Sequence, residues 1–387
     1  MKRQTVQRLT TLMLLSSLSV MGWSQELAKD RIIGQLEVVA TFGGPMPTGV
    51  TVANNGRIFV NFPKWGDNVE YTVAEVKDGK TIPYPNADIN RFTDGDDPSN
   101  KLVSVQSVVV DLTGNCLWIL DTSSIAFGPV KPGGPKLIAV DLNTNQIVKK
   151  IIFPADVALP TTYLNDVRFD LRRGAEGMAF ITDSASIGAN AIIVVDLASG
   201  KSWRRLNDHP STKADSAFVP VVEGEILELR LPGQPPSKFA VGADGIAISP
   251  DGKTLYYCPL TSRHLYSVSI DALSDRTKSD AEVAATVKDL GEKGGGGDGL
   301  ESDAQGRVYL SDYEHDAIRR WNTTDTIETL VHDPRVLWPD TLSLAADGYL
   351  YFTANQIERG AGFHNGQDLR QKPYVLFRFK VDGTRIR

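Results

Sequence analysis

Six segments of the chain repeat one arrangement of apolar and polar positions. TGVTVANNGRIFVNF begins at Thr48, QSVVVDLTGNCLWILD at Gln106, NDVRFDLRRGAEGMAFITDS at Asn165, DGIAISPDGKTLYYCPL at Asp244, DGLESDAQGRVYLSDY at Asp298 and DTLSLAADGYLYFTAN at Asp340. Each opens on a polar residue and runs through mostly alternating apolar positions. Each then turns at a glycine (Gly56, Gly114, Gly177, Gly252, Gly306, Gly348) and continues into a run centred on an aromatic (Phe59, Trp118, Phe180, Tyr256, Tyr309, Tyr351). Alternation with period two marks a half-buried strand, and glycine supplies positive φ at a hairpin turn. Each segment therefore predicts two antiparallel strands. Further strand-like runs follow them: KLIAVDL, QIVKKIIF, AIIVVDL, SWRRL, HLYSVSI, AIRRWN and VLFRFKV. The segments start 42 to 79 residues apart, which suits propeller blades rather than helical repeats. Four strands per repeat and six repeats predict an all-β fold, a six-bladed β-propeller with four-stranded antiparallel blades around a central channel.

LEVVATF at 36–42 precedes the first repeat. It is expected to pair with VLFRFKV in the last blade and so to close the ring, leaving no open sheet edge. The long interval after the third repeat, HPSTKADSAFVPVVEGEILELRLPGQPPS at 209–237, reads as an insertion over one face, either a lid or a surface loop. At the start of the chain, MKRQTVQR carries positive charge, LTTLMLLSSLSVMG is a short apolar run, and Gly22 and Ser24 stand at small-residue cleavage positions. This predicts a signal peptide over 1–24, a single propeller domain over 25–387, and a secreted or periplasmic protein. No other stretch reaches the roughly 18 apolar residues of a membrane span.

Charge narrows the partners. A net charge of -6 with no basic stripe argues against nucleic acid; the partner expected is a small-molecule ligand, and the protein is expected to be a monomer. Cys116 and Cys258 sit inside apolar runs and read as packing residues rather than a bridge. The run GEKGGGGDG at 291–299 has the glycines of a phosphate cradle but leads into a strand and lacks the following Lys-Ser/Thr. It reads as a slack connection that delivers Asp298 to the fifth repeat.

Innermost strands of a propeller all start around one channel mouth, so Thr48, Gln106, Asn165, Asp244, Asp298 and Asp340 are expected to converge there, with Asp166 beside Asn165. Clustered carboxylates repel unless a cation, a protonated member or a bound amine offsets them. Asn165, Asp166, Asp244, Asp298, Asp340 and Asn355 are thus the candidate ligand-binding residues. The alternative is that these residues only tie down loops, as Asp and Asn do in turns. Neither a G-x-S-x-G elbow nor H-E-x-x-H is present. Among the histidines, His264 and His315 fall on the outer strands, and His364, in GAGFHNGQ, is placed to reach a face of the ring.

Several stretches have a familiar wording. LWILD, DLNTNQIV, YYCPLTSR and WPDTL, within a similarity running from about 35 to 385, resemble the major royal jelly/Yellow family. The resemblance implies a secreted six-bladed propeller, with members that bind biogenic amines in the channel or convert dopachrome. A more distant resemblance is to the SMP-30/gluconolactonase propellers, which hold one divalent metal at the mouth. There Asn165-Asp166, Asp244-Gly245 and Asp298-Gly299 match ligand positions, although Asp244 stands where that family has Asn and Thr48 where it has Glu. The resemblance implies Asn165, Asp244 and Asp298 as ligands of Ca²⁺ or another divalent cation, with Asp340 as a substitute for the missing carboxylate. Three functions follow: a small-molecule binder, a Ca²⁺-dependent lactone hydrolase, and a tautomerase acting on a catechol-derived ring.

Overall fold

The computed structural model describes residues 30–111 and 115–386. The leader expected over 1–24 and the turn residue Gly114 lie outside them. Six four-stranded antiparallel sheets follow one another along the chain. Their innermost strands are Val50–Val52, Val105–Val110, Leu164–Asp170, Ala243–Ile248, Leu300–Ser302 and Pro339–Leu344. Each inner strand neighbours the next, and that of blade six neighbours that of blade one, so the ring is closed. Closure is made as the sequence predicts. Glu37–Phe42 forms the outermost strand of blade six, antiparallel to Tyr374–Lys380, with Phe42 opposite Tyr374. The fold is a six-bladed β-propeller, and Ile32–Arg387 form one compact unit.

The hairpin turns carry the expected conformation: Gly56, Gly177, Gly252, Gly306 and Gly348 all have φ between 68° and 100°. The aromatic of every repeat lies on a second strand. Blades adhere through apolar faces. Trp118, Leu120 and Leu137 of blade two pack on Leu164, Val167 and Ile181 of blade three, and Phe180, Ile192 and Val194 of blade three pack on Ile246, Leu255 and Tyr257 of blade four. Fully burying one such side chain contributes about 1.5–3 kcal/mol. Cys258 is buried in the same way, and it is not joined to Cys116.

A second set of contacts, polar and regular, fixes blade spacing at the mouth. Near the end of the second strand, a side chain donates to a backbone carbonyl at the start of the next blade: Asn61 to Val105, Thr182 to Asp244, Cys258 to Gly297 and Thr353 to Thr48. These bonds pull successive strand starts together. The Asp-Gly pairs allow closer approach still. A Cβ on Gly245 would stand 2.2 Å from the Asp298 carbonyl oxygen, and one on Gly299 would stand 2.4 Å from that of Asp340. Gly299→Ala is expected to destabilise the fold by about 1–3 kcal/mol through overpacking against backbone. An unchanged urea midpoint would mean the strands have room to separate.

Two readings of the sequence change. The glycine run is packed rather than slack: Cβ atoms at Gly295, Gly296 and Gly297 would meet Asp312, the Tyr313 ring and the Ser311 carbonyl within 2.6 Å. These glycines are needed for the side chain they lack. The insertion is also ordered, as two small hairpins, Val221–Val222 with Glu225–Ile226 and Glu228–Leu229 with Ser237–Lys238. It packs through Phe218, Val222 and Leu227 onto Leu260, Tyr313 and Trp338 of blades four to six, above the mouth.

Candidate functional site: an acidic channel mouth

The polar start of a repeat is not an ordinary strand position. Register slips between Val105 and Ser107, between Leu164 and Val167, between Ala243 and Ile246, and between Pro339 and Leu342. Gln106, Asn165-Asp166, Asp244-Gly245 and Asp340-Thr341 fill those irregularities. Bulges leave residues out of the ladder and re-aim their side chains. The Asp-Gly approach then sets Asp244, Asp298 and Asp340, from three successive blades, side by side.

All three are buried: Asp244 is 4%, Asp298 7% and Asp340 3% exposed. Asp298 is central, within hydrogen-bonding reach of both Asp244 and Asp340. Each is held by a neutral donor. Trp338 Nε1 donates to Asp298 Oδ2 at 2.8 Å, Asn165 Nδ2 to Asp244 Oδ1 at 2.6 Å, and Asn355 Nδ2 to Asp340 Oδ2 at 2.8 Å. Burial pushes the pKa of Asp244 and Asp340 well above the usual carboxylate range, and the neighbouring Asp298 pushes them further. Burial also raises that of Asp298, while donation from Trp338, Asp244 and Asp340 holds it back. All three are thus shifted toward the protonated form, Asp298 less firmly than its two neighbours, a consequence of like charges sharing a dry site.

The other expected residues divide. Asn165 and Asn355 join the cluster as donors. Asp166 is compensated separately, by Ser107 Oγ at 2.6 Å and by the Arg168 guanidinium at 3.1 Å. Thr48 is a latch, accepting from Asn61 Nδ2 at 2.8 Å. Gln106 Oε1 accepts from the Tyr163 hydroxyl at 3.1 Å. His364 faces the Glu358 carbonyl instead of any of the three carboxylates, while His264 and His315 pair with Asp289 and Asp312.

Sequence reasoning missed two aromatic groups. Tyr163 is buried, its pKa raised by burial and by Asp244 and Asp340, and it accepts from Trp65 Nε1 at 2.6 Å. Trp65 stacks on Phe127 at 4.9 Å between ring centroids, and Phe127 lies 5.2 Å from Tyr163. On the other side, Trp338 stacks on Tyr313 at 4.1 Å, and Phe239, just after the insertion, packs edge-on against Trp338. Trp338 has φ 49°, a left-handed conformation that costs on the order of 1–3 kcal/mol for a bulky residue. The strain is local to the contact that aims its indole at Asp298.

The oxygen chemistry of the cluster suits a hard cation, but its arrangement suits one less well. Among the described residues, no group of three or more Asp, Glu, His or Cys side chains has the spacing of a metal ligand set. Asn165 turns its amide toward Asp244 and does not stand open beside it. No helix among the described residues is long and apolar enough to cross a membrane.

Comparison with known proteins agrees with this architecture. The chain is 14% identical to regucalcin of Agrobacterium tumefaciens, described as a calcium-binding protein, with a TM-score of 0.53 over 90% of this chain and 98% of that one. A putative gluconolactonase gives 11% identity and a TM-score of 0.55 over 91% and 94%. These likenesses show the fold alone. In sequence, Protein yellow of Drosophila erecta is 27% identical over 253 residues, 61% of this chain and 43% of that protein; the Drosophila melanogaster protein is 26% identical over the same shares. The chain thus spans about two fifths of the length of these curated relatives. The pattern that defines the major royal jelly proteins matches residues 103–375, blades two to six with the whole acidic cluster, and the chain belongs to the major royal jelly protein family.

Proposed function

We propose that this chain is a secreted or periplasmic binding propeller that holds a small organic cation, an aromatic amine, at the Asp244–Asp298–Asp340 mouth. The observation that carries the reading is that three buried carboxylates face one another with only neutral donors as partners. A buried ammonium group offsets their repulsion and is charge-paired by Asp298, with Asp244 and Asp340 giving up protons as needed. Tyr163, Trp65 and Phe127 on one side and Trp338 on the other supply ring surfaces of the kind that recognise organic cations. Because the carboxylates are covered, the ligand enters when the insertion lifts from Trp338.

A second reading rests on the unequal surroundings of the same trio, since hydrogen bonds from Trp338, Asp244 and Asp340 counter the burial of Asp298. An Asp298 base beside an acidic neighbour would form an acid/base set able to move a proton on a bound ring, which is tautomerase chemistry. The Ca²⁺-dependent lactone hydrolase reading draws on the propeller likeness and needs Asn165, Asp244 and Asp298 to rearrange around a metal. A thermal-shift panel separates the three. Stabilisation by phenethylamine but not by N-acetylphenethylamine is the expected result. Stabilisation by Ca²⁺ that EDTA reverses, together with lactone turnover, would replace the binder with the hydrolase.

A further inference from the structure

A cavity of about 120 Å³ lies in the channel toward the end opposite the acidic mouth. Its walls come from the far halves of inner strands and are mainly apolar, with Val108, Ile248 and Leu342 among them. Charged residues also line it, Arg168 and Glu301 among them. Arg168 is buried, with Nη1 donating to the Val167 carbonyl at 2.9 Å and Nη2 to the Leu300 carbonyl at 2.6 Å. Its Nε, also buried, has no partner. Glu301 stands close enough to interact with Arg168 and accepts the Ser302 amide at 2.8 Å. Segment 383–386 crosses this end of the channel. Arg385 donates to the Val52 and Val110 carbonyls, at 3.2 and 3.1 Å, while the Thr384 carbonyl accepts the Ala304 amide at 2.8 Å. The segment therefore ties blades one, two and five together across the opening.

We propose that this chamber is a second small-molecule site, separate from the acidic mouth, for a compact apolar molecule bearing one hydroxyl, and that Arg385 is its outer gate. An unpaired buried donor is costly to leave, so the Nε of Arg168 calls for an acceptor. The carboxyl group of Glu301 calls for a donor when ionised and offers one when protonated, and burial raises its pKa. A single hydroxyl meets both demands, and the apolar walls take the rest of an alcohol or phenol. The volume is well below the roughly 300–1,000 Å³ of a pocket for drug-sized ligands, which limits the occupant to one ring or a short branched chain.

The test is calorimetric titration of the full chain with phenol and cyclohexanol, with benzene as the hydroxyl-free control. Saturable binding of one equivalent is expected, at least tenfold tighter for phenol than for benzene. Arg168→Met is expected to remove that preference, and Leu342→Trp, which fills the chamber, to remove binding. Arg385→Ala is expected to speed association. Asp298→Asn, which acts at the other mouth, is expected to leave phenol affinity within twofold. Absence of saturable phenol binding, or equal affinity for phenol and benzene, would overturn the proposal by leaving water as the only partner of the Arg168 Nε. If Leu342→Trp does not fold, the anomalous bromine signal of 4-bromophenol soaked into crystals of the natural chain decides: a peak between Arg168 and Glu301 supports the site, and a peak elsewhere or none refutes it.

Discussion

Asp298→Asn is expected to weaken phenethylamine binding about 100-fold or more while making the unliganded protein more stable. The two effects have one cause. Asp298 is the shared neighbour of Asp244 and Asp340 and the only one of the three whose charge is supported by three donors. Neutralising it removes the counter-charge of the ammonium group, a loss of the order of 2–5 kcal/mol for a buried charge pair. It also removes the charge that, after burial, raises the pKa of Asp244 and Asp340. The Asn carbonyl oxygen still accepts from Trp338, so the indole keeps its partner. Calorimetric titration and a urea melt at pH 7.5 read both effects on one preparation. A variant that lost stability along with binding would show that the cluster is structural glue, and a variant that bound normally would move the amine elsewhere.

Stability itself is expected to fall as pH rises from about 4 to about 8. Asp244, Asp298 and Asp340 are all raised, Asp316 is pushed up to about 7 and Glu358 to about 8, mainly by burial. A carboxyl whose folded pKa exceeds its unfolded value binds more protons in the native state, so ∂ΔG/∂pH of unfolding is negative between the two values. Above the folded pKa the full penalty applies. Summed over these groups, the loss is expected to be at least a few kcal/mol between pH 5 and 8.5. Carboxylates depressed by arginine partners, such as Asp333 and Asp368, act in the opposite direction, but only near and below pH 4. Glu358 contributes independently of the mouth: its oxygens are buried without a hydrogen-bond partner, and its charged neighbours are Arg359 at 3.8 Å, Glu223 and Asp316. Glu358→Gln is therefore expected to flatten the alkaline limb without changing amine affinity. A melting temperature that stayed level or rose from pH 5 to 8.5 would contradict the protonation states assigned to the cluster.

The architecture was legible because its signals are local and repeated. Six glycine turns and six second-strand aromatics fix hairpins with nothing but sequence, and LEVVATF carries the only unpaired strand pattern ahead of them. Parts without periodicity escaped. The helix Asp280–Ala284 is set by a capping box between Ser279 and Glu282, a signal readable in SDAE but hidden between two strands. The polar strand starts were readable as a set. Their division into an acidic trio, a compensated Asp166 and a latch at Thr48 was not, because it depends on which blades stand next to one another. Asp-Gly at 244–245 and 298–299 carried part of that information: the glycine marks a close approach to the next blade. The same residue type misled at 295–297, where a run suggestive of slack is buried against Asp312, Tyr313 and Ser311. Glycine in a sequence records a missing side chain but does not say whether the chain needs freedom or room. Tyr163 and Trp338 each lie two residues before the polar starts at Asn165 and Asp340, close enough to have been included with them.

A cation at the mouth is expected to replace protons held among Asp244, Asp298 and Asp340. The most direct measurement is phenethylamine titration calorimetry at pH 7 in two buffers of different ionisation enthalpy, since the amine arrives already protonated and any proton released comes from the protein. Saturable binding is expected with release of about one proton from the three aspartates, lost in Asp298→Asn. Absence of binding, or a heat that does not depend on the buffer, would contradict it.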